Sequence, residues 1–219
     1  MARPLKKRHL DAAVAHLRND TAFAPILDYV GPCAFEARPD PFQALVDIIA
    51  AQQVSKYAAE SIRKKLRLRY GDPMDPEMIA KARFDRLRGC GLSRAKTIYI
   101  RDLARSVVAK ELDFDALVRM DDAAAIERLV ALNGIGRWTA EIYLMFVLGR
   151  PDIFPIGDIA LRKVMREFYA LAEDAPHVDY LAVAQTWAPY RTVASWYLYA
   201  LINQRRVEAR LKRRGGHVG

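Results

Sequence analysis

The chain has two cysteines in 219 residues, Cys33 and Cys90, far apart and in no CxxC pairing. Neither a disulfide framework nor a four-cysteine zinc or iron-sulfur site can be built from them, and buried free thiols are the simple reading. Its four histidines, His9, His16, His177 and His217, are scattered. That leaves no metal site and no Ser-His-Asp nucleophile to be read. No apolar run approaches the roughly 18 to 20 residues that cross a bilayer, and the basic opening MARPLKKRHLDAAVAHLR lacks the apolar core of a signal peptide. The expectation is a cytoplasmic protein with no membrane partner. Strand-like alternation is scarce, and no repeat of fixed period runs through the chain.

What is present is apolar bulk and positive charge. At 52% hydrophobic residues the chain can bury a substantial core, as one domain or two joined lobes. A formal net charge of +9 points to a polyanionic partner, nucleic acid ahead of an anionic membrane surface. The charge gathers in four places: the first ten residues, RKKLRLR at Arg63 to Arg69, KARFDRLRGCGLSRAKTIYIR at Lys81 to Arg101, and RRVEARLKRR at Arg205 to Arg214. Any such run also reads as a solvated helix face, and the two terminal runs read as frayed tails. The third run brackets a GCGLS turn. Ser93 there can cap the next helix, and the side chains of Arg94 and Lys96, with the free amides, could face a phosphate strand.

Turn signals at Gly31, Arg38 to Pro41, Tyr70 to Pro76, Gly89, and Gly149 to Asp158 cut the sequence into helix-length pieces. From Pro41 to Tyr70, Phe42, Leu45, Val46, Ile49, Val54, Ala58, Ile62 and Leu66 recur at steps of three and four, one face of a helix. The stretch is long for a single helix, and Ser55 could cap a second one after AQQ. DAAAIERLVAL, RWTAEIYLMFVL, IALRKVMREFYALA and RTVASWYLYALINQRR show the same period. The fold class is all-α.

The stretch LNGIGRWTAEIYLMF, Leu132 to Phe146, joins two of these helices. Gly134 and Gly136 suggest a turn needing positive φ or close backbone approach, with the second helix starting near Arg137. Its first-turn N–H groups, including that of Thr139, lack partners within the helix, so this end is a small anion site as well as a tight αα-hairpin.

Ile126, Leu129 and Leu132 before NGIGRWTA, with Ile142, Tyr143 and Phe146 after it, resemble the helix-hairpin-helix element of the HhH-GPD superfamily of DNA glycosylases. In that family a loop containing glycine and proline follows and ends in an aspartate; GRPDIFPIGDIALRKV puts Asp158 there. IIAAQQVSKYAAESIRKKL (Ile48 to Leu66), GLSRAKTIYIRDLA (Gly91 to Ala104) and WAPYRTVASWYLY (Trp187 to Tyr199) are similar to segments of its 3-methyladenine, AlkA-like branch. The resemblance covers about Phe42 to Asn203. It implies one glycosylase unit over residues 1–219: one lobe of about 42–150 carrying the hairpin 132–136, a second of about 1–41 plus 151–219, and an active site in the cleft between them. Two departures stand out: there is no room for the amino-terminal β domain of some members, and no cysteine cluster for an iron-sulfur site.

The resemblance also implies roles. Asp158 would stabilise the oxocarbenium-like sugar that forms as the base leaves, a position where aspartate reads equally as the N-cap of IALRKVM. Members that also cut the strand carry a lysine where this chain has Trp138, so the reaction should stop at an abasic site. No convincing second acid accompanies Asp158; Asp152 reads as a turn residue. A purine alkylated at N3 or N7 already carries positive charge and leaves readily, so one carboxylate suffices. Trp138, Trp187, Tyr143 and Tyr190 are the candidates for an aromatic pocket attracting such a cation at about 0.5 to 2 kcal/mol each, although aromatics at helical spacing also read as core. Trp138 and Trp187 would sit nearest the flipped base. Gln53, with Gln52 beside it, is the expected wedge, or else a polar cap at a helix junction. Gly134, Gly136, Arg137, Thr139, Ser93, Arg94 and Lys96 would meet phosphate. No cofactor is required, and a Na+ or K+ ion on carbonyls near Leu132 and Ile135 is implied by the family alone.

The expected activity is monofunctional excision of 3-methyladenine and 7-methylguanine from double-stranded DNA by a monomer. The alternatives are a glycosylase for hypoxanthine, ethenoadenine or a mismatched base, and a catalytically silent binder of damaged DNA.

Overall fold

The computed structural model describes residues 5, 7–37 and 40–215, without the side chains of residues 7, 8, 214 and 215. Every element among them is helical. In chain order these are α1 Lys7–Arg18, α2 Ala24–Val30, α3 Pro41–Ala51, α4 Lys56–Tyr70, α5 Pro76–Ala80, α6 Phe84–Arg88 and α7 Arg94–Val108. There follow α8 Phe114–Arg119, α9 Asp122–Val130, α10 Arg137–Phe146, α11 Ile159–Tyr169, α12 His177–Thr186 and α13 Arg191–Gly215. No helix among the described residues is long and apolar enough to cross a membrane.

The starts are written in the sequence as short polar caps. Asp40, Asp75, Asp113, Asp121 and Asp158 each accept backbone N–H bonds at the head of α3, α5, α8, α9 and α11. Ser55 and Ser93 do the same for α4 and α7. Each such cap is worth about 1 kcal/mol. Pro41 and Pro76 add a preset φ in the first turn, where a missing N–H costs nothing.

The chain divides into two compact units. One is Ala37–Leu148; the other joins the segment ending at Glu36 to the segment starting at Gly149. In the first, Leu45 and Ile49 of α3, Leu66 of α4, Ile100 of α7, Leu129 of α9 and Leu144 of α10 are fully buried. The apolar stripe read through the α3–α4 junction needs a correction there: Val54 and Ala58 are exposed, and α4 presents Ala59, Ile62, Leu66 and Tyr70 inward instead. The chain leaves the helix at Gln52 and re-enters at Lys56, so the 3.6-residue phase restarts. Two arginines of the RKKLRLR run are spent inside this unit. Buried Asp47 takes a 2.8 Å hydrogen bond from Arg67 and pairs at 3.7 Å with Arg63, fastening α4 to α3.

In the second unit Phe23, Ile26, Leu161, Trp187 and Leu198 are fully buried. The C-terminal basic run is helix rather than frayed tail, since α13 continues to Gly215; the first residues of the amino-terminal run lie outside the described residues.

Candidate functional site

The hairpin between α9 and α10 is closed by main-chain bonds from Leu132 N to Leu129 O at 3.0 Å and from Ile135 N to Leu132 O at 3.2 Å. Gly134 is required twice over. Its φ is +81°, and a Cβ there would lie 2.1 Å from Cδ2 of Tyr99 on α7. Gly136 does not share that reason, which corrects the reading that backbone geometry demands both glycines. Its φ is −87°, and an added Cβ meets nothing within 4 Å. As N-cap of α10 it makes no side-chain cap bond, so no side chain of its own shields the first-turn amides.

Three residues expected at phosphate or as a wedge make internal ties: Gln52 and Thr139 at the hairpin, Lys96 at the end of α3. Gln52 donates from Nε2 to Gly134 O at 3.1 Å and to Thr139 Oγ1 at 3.2 Å. Thr139 is buried, so its hydroxyl serves this tie and not a phosphate. Lys96 donates to Ala50 O at 3.1 Å and also to Gln52 O, capping the carbonyl end of α3; burial pushes its pKa down. With two of its three donors on carbonyls, the ammonium is first of all a clamp on the end of α3. Gln53 is exposed at φ +52°, a left-handed conformation that persists only where neighbours fix the chain, as the bonds on Gln52 do here. Ser93 caps α7 through Oγ on Lys96 N at 3.2 Å, and Arg94 is exposed beside it.

Gln52, Gln53, Ser93, Lys96, Tyr99 and the hairpin line an open, polar cleft of about 620 Å³. No cluster of acidic, His or Cys side chains among the described residues could hold a metal ion. A monovalent cation at the hairpin would therefore rest on carbonyls, of which Leu132 O already accepts the Ile135 N–H.

Arg137 opens α10 with its side chain mostly in solvent, and its Nε meets Glu141 Oε1 at 2.9 Å one turn on. Glu141 itself is buried, and that burial raises its pKa against the opposing pull of Arg137. Because the folded state holds this proton more tightly than the unfolded chain, the Glu141 contribution to stability falls as pH rises through the raised value. Glu141→Gln is expected to melt at or above the wild-type temperature at pH 7.5, with the advantage shrinking toward pH 5. A melting temperature lower at pH 7.5 than at pH 5, relative to wild type, would contradict this.

The aromatic candidates separate by burial. Trp138, in the first turn of α10, is 39% exposed. Tyr143 is fully buried beside Phe114, with centroids 6.4 Å apart, and is core. Trp187 is also fully buried, which corrects its assignment to a base pocket. Its Nε1 donates to Tyr169 OH at 3.0 Å and to Asp20 Oδ2 at 3.3 Å, and Phe23 and Phe154 pack edge-on at 5.4 and 5.7 Å. Tyr190 is half-buried, edge-on to His16 at 5.5 Å.

The loop from Gly149 to Asp158 is fastened to the head of α13. Arg191 grips Asp152 with two bonds of 2.7 and 2.8 Å. Buried Thr192 donates to Arg150 O at 2.6 Å and accepts from Ile153 N at 3.0 Å. At the far end of the loop Asp158 caps α11, its Oδ1 accepting from Ala160 N at 2.8 Å and Leu161 N at 3.1 Å. Its other oxygen, Oδ2, accepts a 2.6 Å bond from Tyr199 OH on α13. Asp158 is thus the N-cap of α11 through one oxygen and a partner of α13 through the other.

With this geometry in place, the family model of the HhH-GPD superfamily base excision DNA repair protein matches residues 46–189. The chain belongs to the HhH-GPD superfamily. It is 29% identical to the alkylbase DNA glycosidase-like protein mag2 of Schizosaccharomyces pombe, over 86% of this chain and 92% of that protein. It is 32% identical to DNA-3-methyladenine glycosylase 1 of the same yeast, over 74% of this chain and 72% of the relative. The solved structure of the yeast 3-methyladenine DNA glycosylase Mag1 in complex with abasic DNA superposes with a TM-score of 0.77 at 29% identity, covering 86% of this chain and 95% of that one.

Within this HhH-GPD chain Tyr199 is a site neighbour that no local sequence feature marks. What relates it to the loop is its spacing: Thr192 and Tyr199 stand seven residues apart on α13, hence on one face about 10.5 Å along the axis. The helix that fixes the start of the loop therefore also reaches its end.

Proposed function

We propose that this chain is a monofunctional DNA glycosylase that hydrolyses the N-glycosidic bond of alkylated purines, 3-methyladenine and 7-methylguanine, in double-stranded DNA and leaves an abasic site. The observation that carries this reading is the Asp158 carboxylate: it ends the family's loop and is held by Ala160, Leu161 and Tyr199. An anion so held stabilises the positive charge that grows on the sugar as the base departs.

The other acid of the loop supports the choice of base. Asp152 is gripped bidentately by Arg191 and so is held as an ion-pair partner, not as a proton donor for a leaving group. A base that is already cationic needs no such proton. Trp138 offers the exposed aromatic face that favours an electron-poor ring, and it stands where strand-cutting relatives would need a nucleophilic lysine, which favours hydrolysis without lyase chemistry. The uncapped head of α10 after Gly136, with exposed Arg137 and Arg94, suits a phosphate strand. Gln53 remains the wedge residue, and a carbonyl-bound Na+ or K+ at the hairpin would brace the turn. The protein would act as a monomer, in the cytoplasm.

The test is incubation with duplex DNA methylated at purines, with released base and strand breaks measured before and after alkali. Free 3-methyladenine and 7-methylguanine with breaks only after alkali is the expected result. A borohydride-trapped enzyme–DNA adduct would overturn the monofunctional reading, and intact binding with no release would move the substrate to another lesion or leave a silent binder.

A further inference from the structure

We infer that Tyr199 is a positioning residue for the Asp158 carboxylate, an inference that rests on Asp158 being the group that meets the reacting sugar. A helix cap uses one side-chain oxygen, and Oδ1 already fills that role with the N–H groups of Ala160 and Leu161. Both cap bonds converge on one oxygen. The bond from Tyr199 OH falls on the other oxygen, so it acts on the orientation of the carboxylate in a way the cap does not.

Three features separate this from ordinary core packing. At 2.6 Å the bond is in the short range of hydroxyl–carboxylate pairs. The Tyr199 ring is half-buried, whereas its neighbours Tyr197 and Leu198 on α13 are fully enclosed. Finally, α13 holds the whole loop: Arg191 on Asp152, Thr192 on Arg150 and Ile153, then Tyr199 on Asp158. A carboxylate tied at both ends of its loop to one rigid helix keeps its orientation while charge develops beside it. Misplacement of such a group by about 1 Å costs on the order of a hundred-fold in rate.

Tyr199→Phe keeps the ring and removes only the hydroxyl. The experiment compares wild type, Tyr199→Phe and Asp158→Asn on two duplexes, one with an uncharged tetrahydrofuran abasic site and one with a cationic pyrrolidine in its place, alongside single-turnover base release and thermal melting. Tyr199→Phe is expected to hold the uncharged duplex like wild type, to lose about ten-fold of the preference for the cationic one, and to release base about ten- to a hundred-fold more slowly. Tyr199→Leu, which removes ring and hydroxyl together, is expected to match Phe in that preference. Full preference in Tyr199→Phe, while Asp158→Asn loses it, overturns the role of Tyr199 and leaves the carboxylate reading standing. Full preference in Asp158→Asn, or none in wild type, overturns both.

Discussion

Replacing Asp158 by Asn is expected to slow base release by at least about 10²- to 10³-fold while leaving the fold within about 1 kcal/mol of wild type. The two halves of that expectation come from the two oxygens. Asparagine caps helices as well as aspartate does, and its carbonyl oxygen can take over the bonds from Ala160 and Leu161 that now end on Oδ1. The charge that faces the developing cation has no substitute. Asp158→Ala would confound the measurement, since it removes the cap as well, at about 0.5 to 2 kcal/mol. Single-turnover release from methylated duplex, paired with a melting curve, decides between them. Wild-type release in the Asn variant would mean that Asp158 is only a cap.

The sequence reveals this residue and hides how it is held, for a physical reason. Helix starts, loop punctuation and the order of the motifs are local, so Asp158 after the PIG turn and Ser55 after AQQ could be read directly as caps. Whether an aromatic is core or pocket depends on what folds over it, and no local pattern records that. Trp187 carries the motif of a pocket residue, yet a network from Tyr169 on α11 and from Asp20, far away in the chain, closes around it. Tyr199 shows the reverse: nothing in its local pattern marks it, and its hydroxyl ends on the candidate catalytic group.

The same limit applies to charge. Lys96 reads as a basic residue beside a phosphate-binding turn, and it is spent on carbonyls that lie more than forty residues back in sequence. Arg63 and Arg67 belong to the most basic run of the first unit, and both answer buried Asp47. Positive residues near a binding turn are therefore not interchangeable: Lys96, Arg63 and Arg67 tie the framework together, while Arg94 and Arg137 stand exposed, Arg137 with its Nε on Glu141.

The hairpin glycines give the second large effect, and a contrast. Gly134→Ala is expected to destabilise the protein by about 2 to 4 kcal/mol, because a left-handed φ and a Cβ placed inside the Tyr99 ring must both be relieved. Gly136→Ala is expected to change the melting temperature little, since its φ suits alanine and nothing lies within 4 Å of the new carbon. If the amides at the head of α10 receive a phosphate, that new carbon intrudes on the approach, and affinity for an abasic-site duplex should fall by roughly ten-fold, about 1.4 kcal/mol. Loss of stability at Gly134 without loss at Gly136, together with loss of binding at Gly136, would identify one glycine as kept for the fold and the other for the partner. Wild-type affinity in Gly136→Ala would show instead that the head of α10 is a plain helix start, and would move the phosphate contact to the exposed basic face around Arg94.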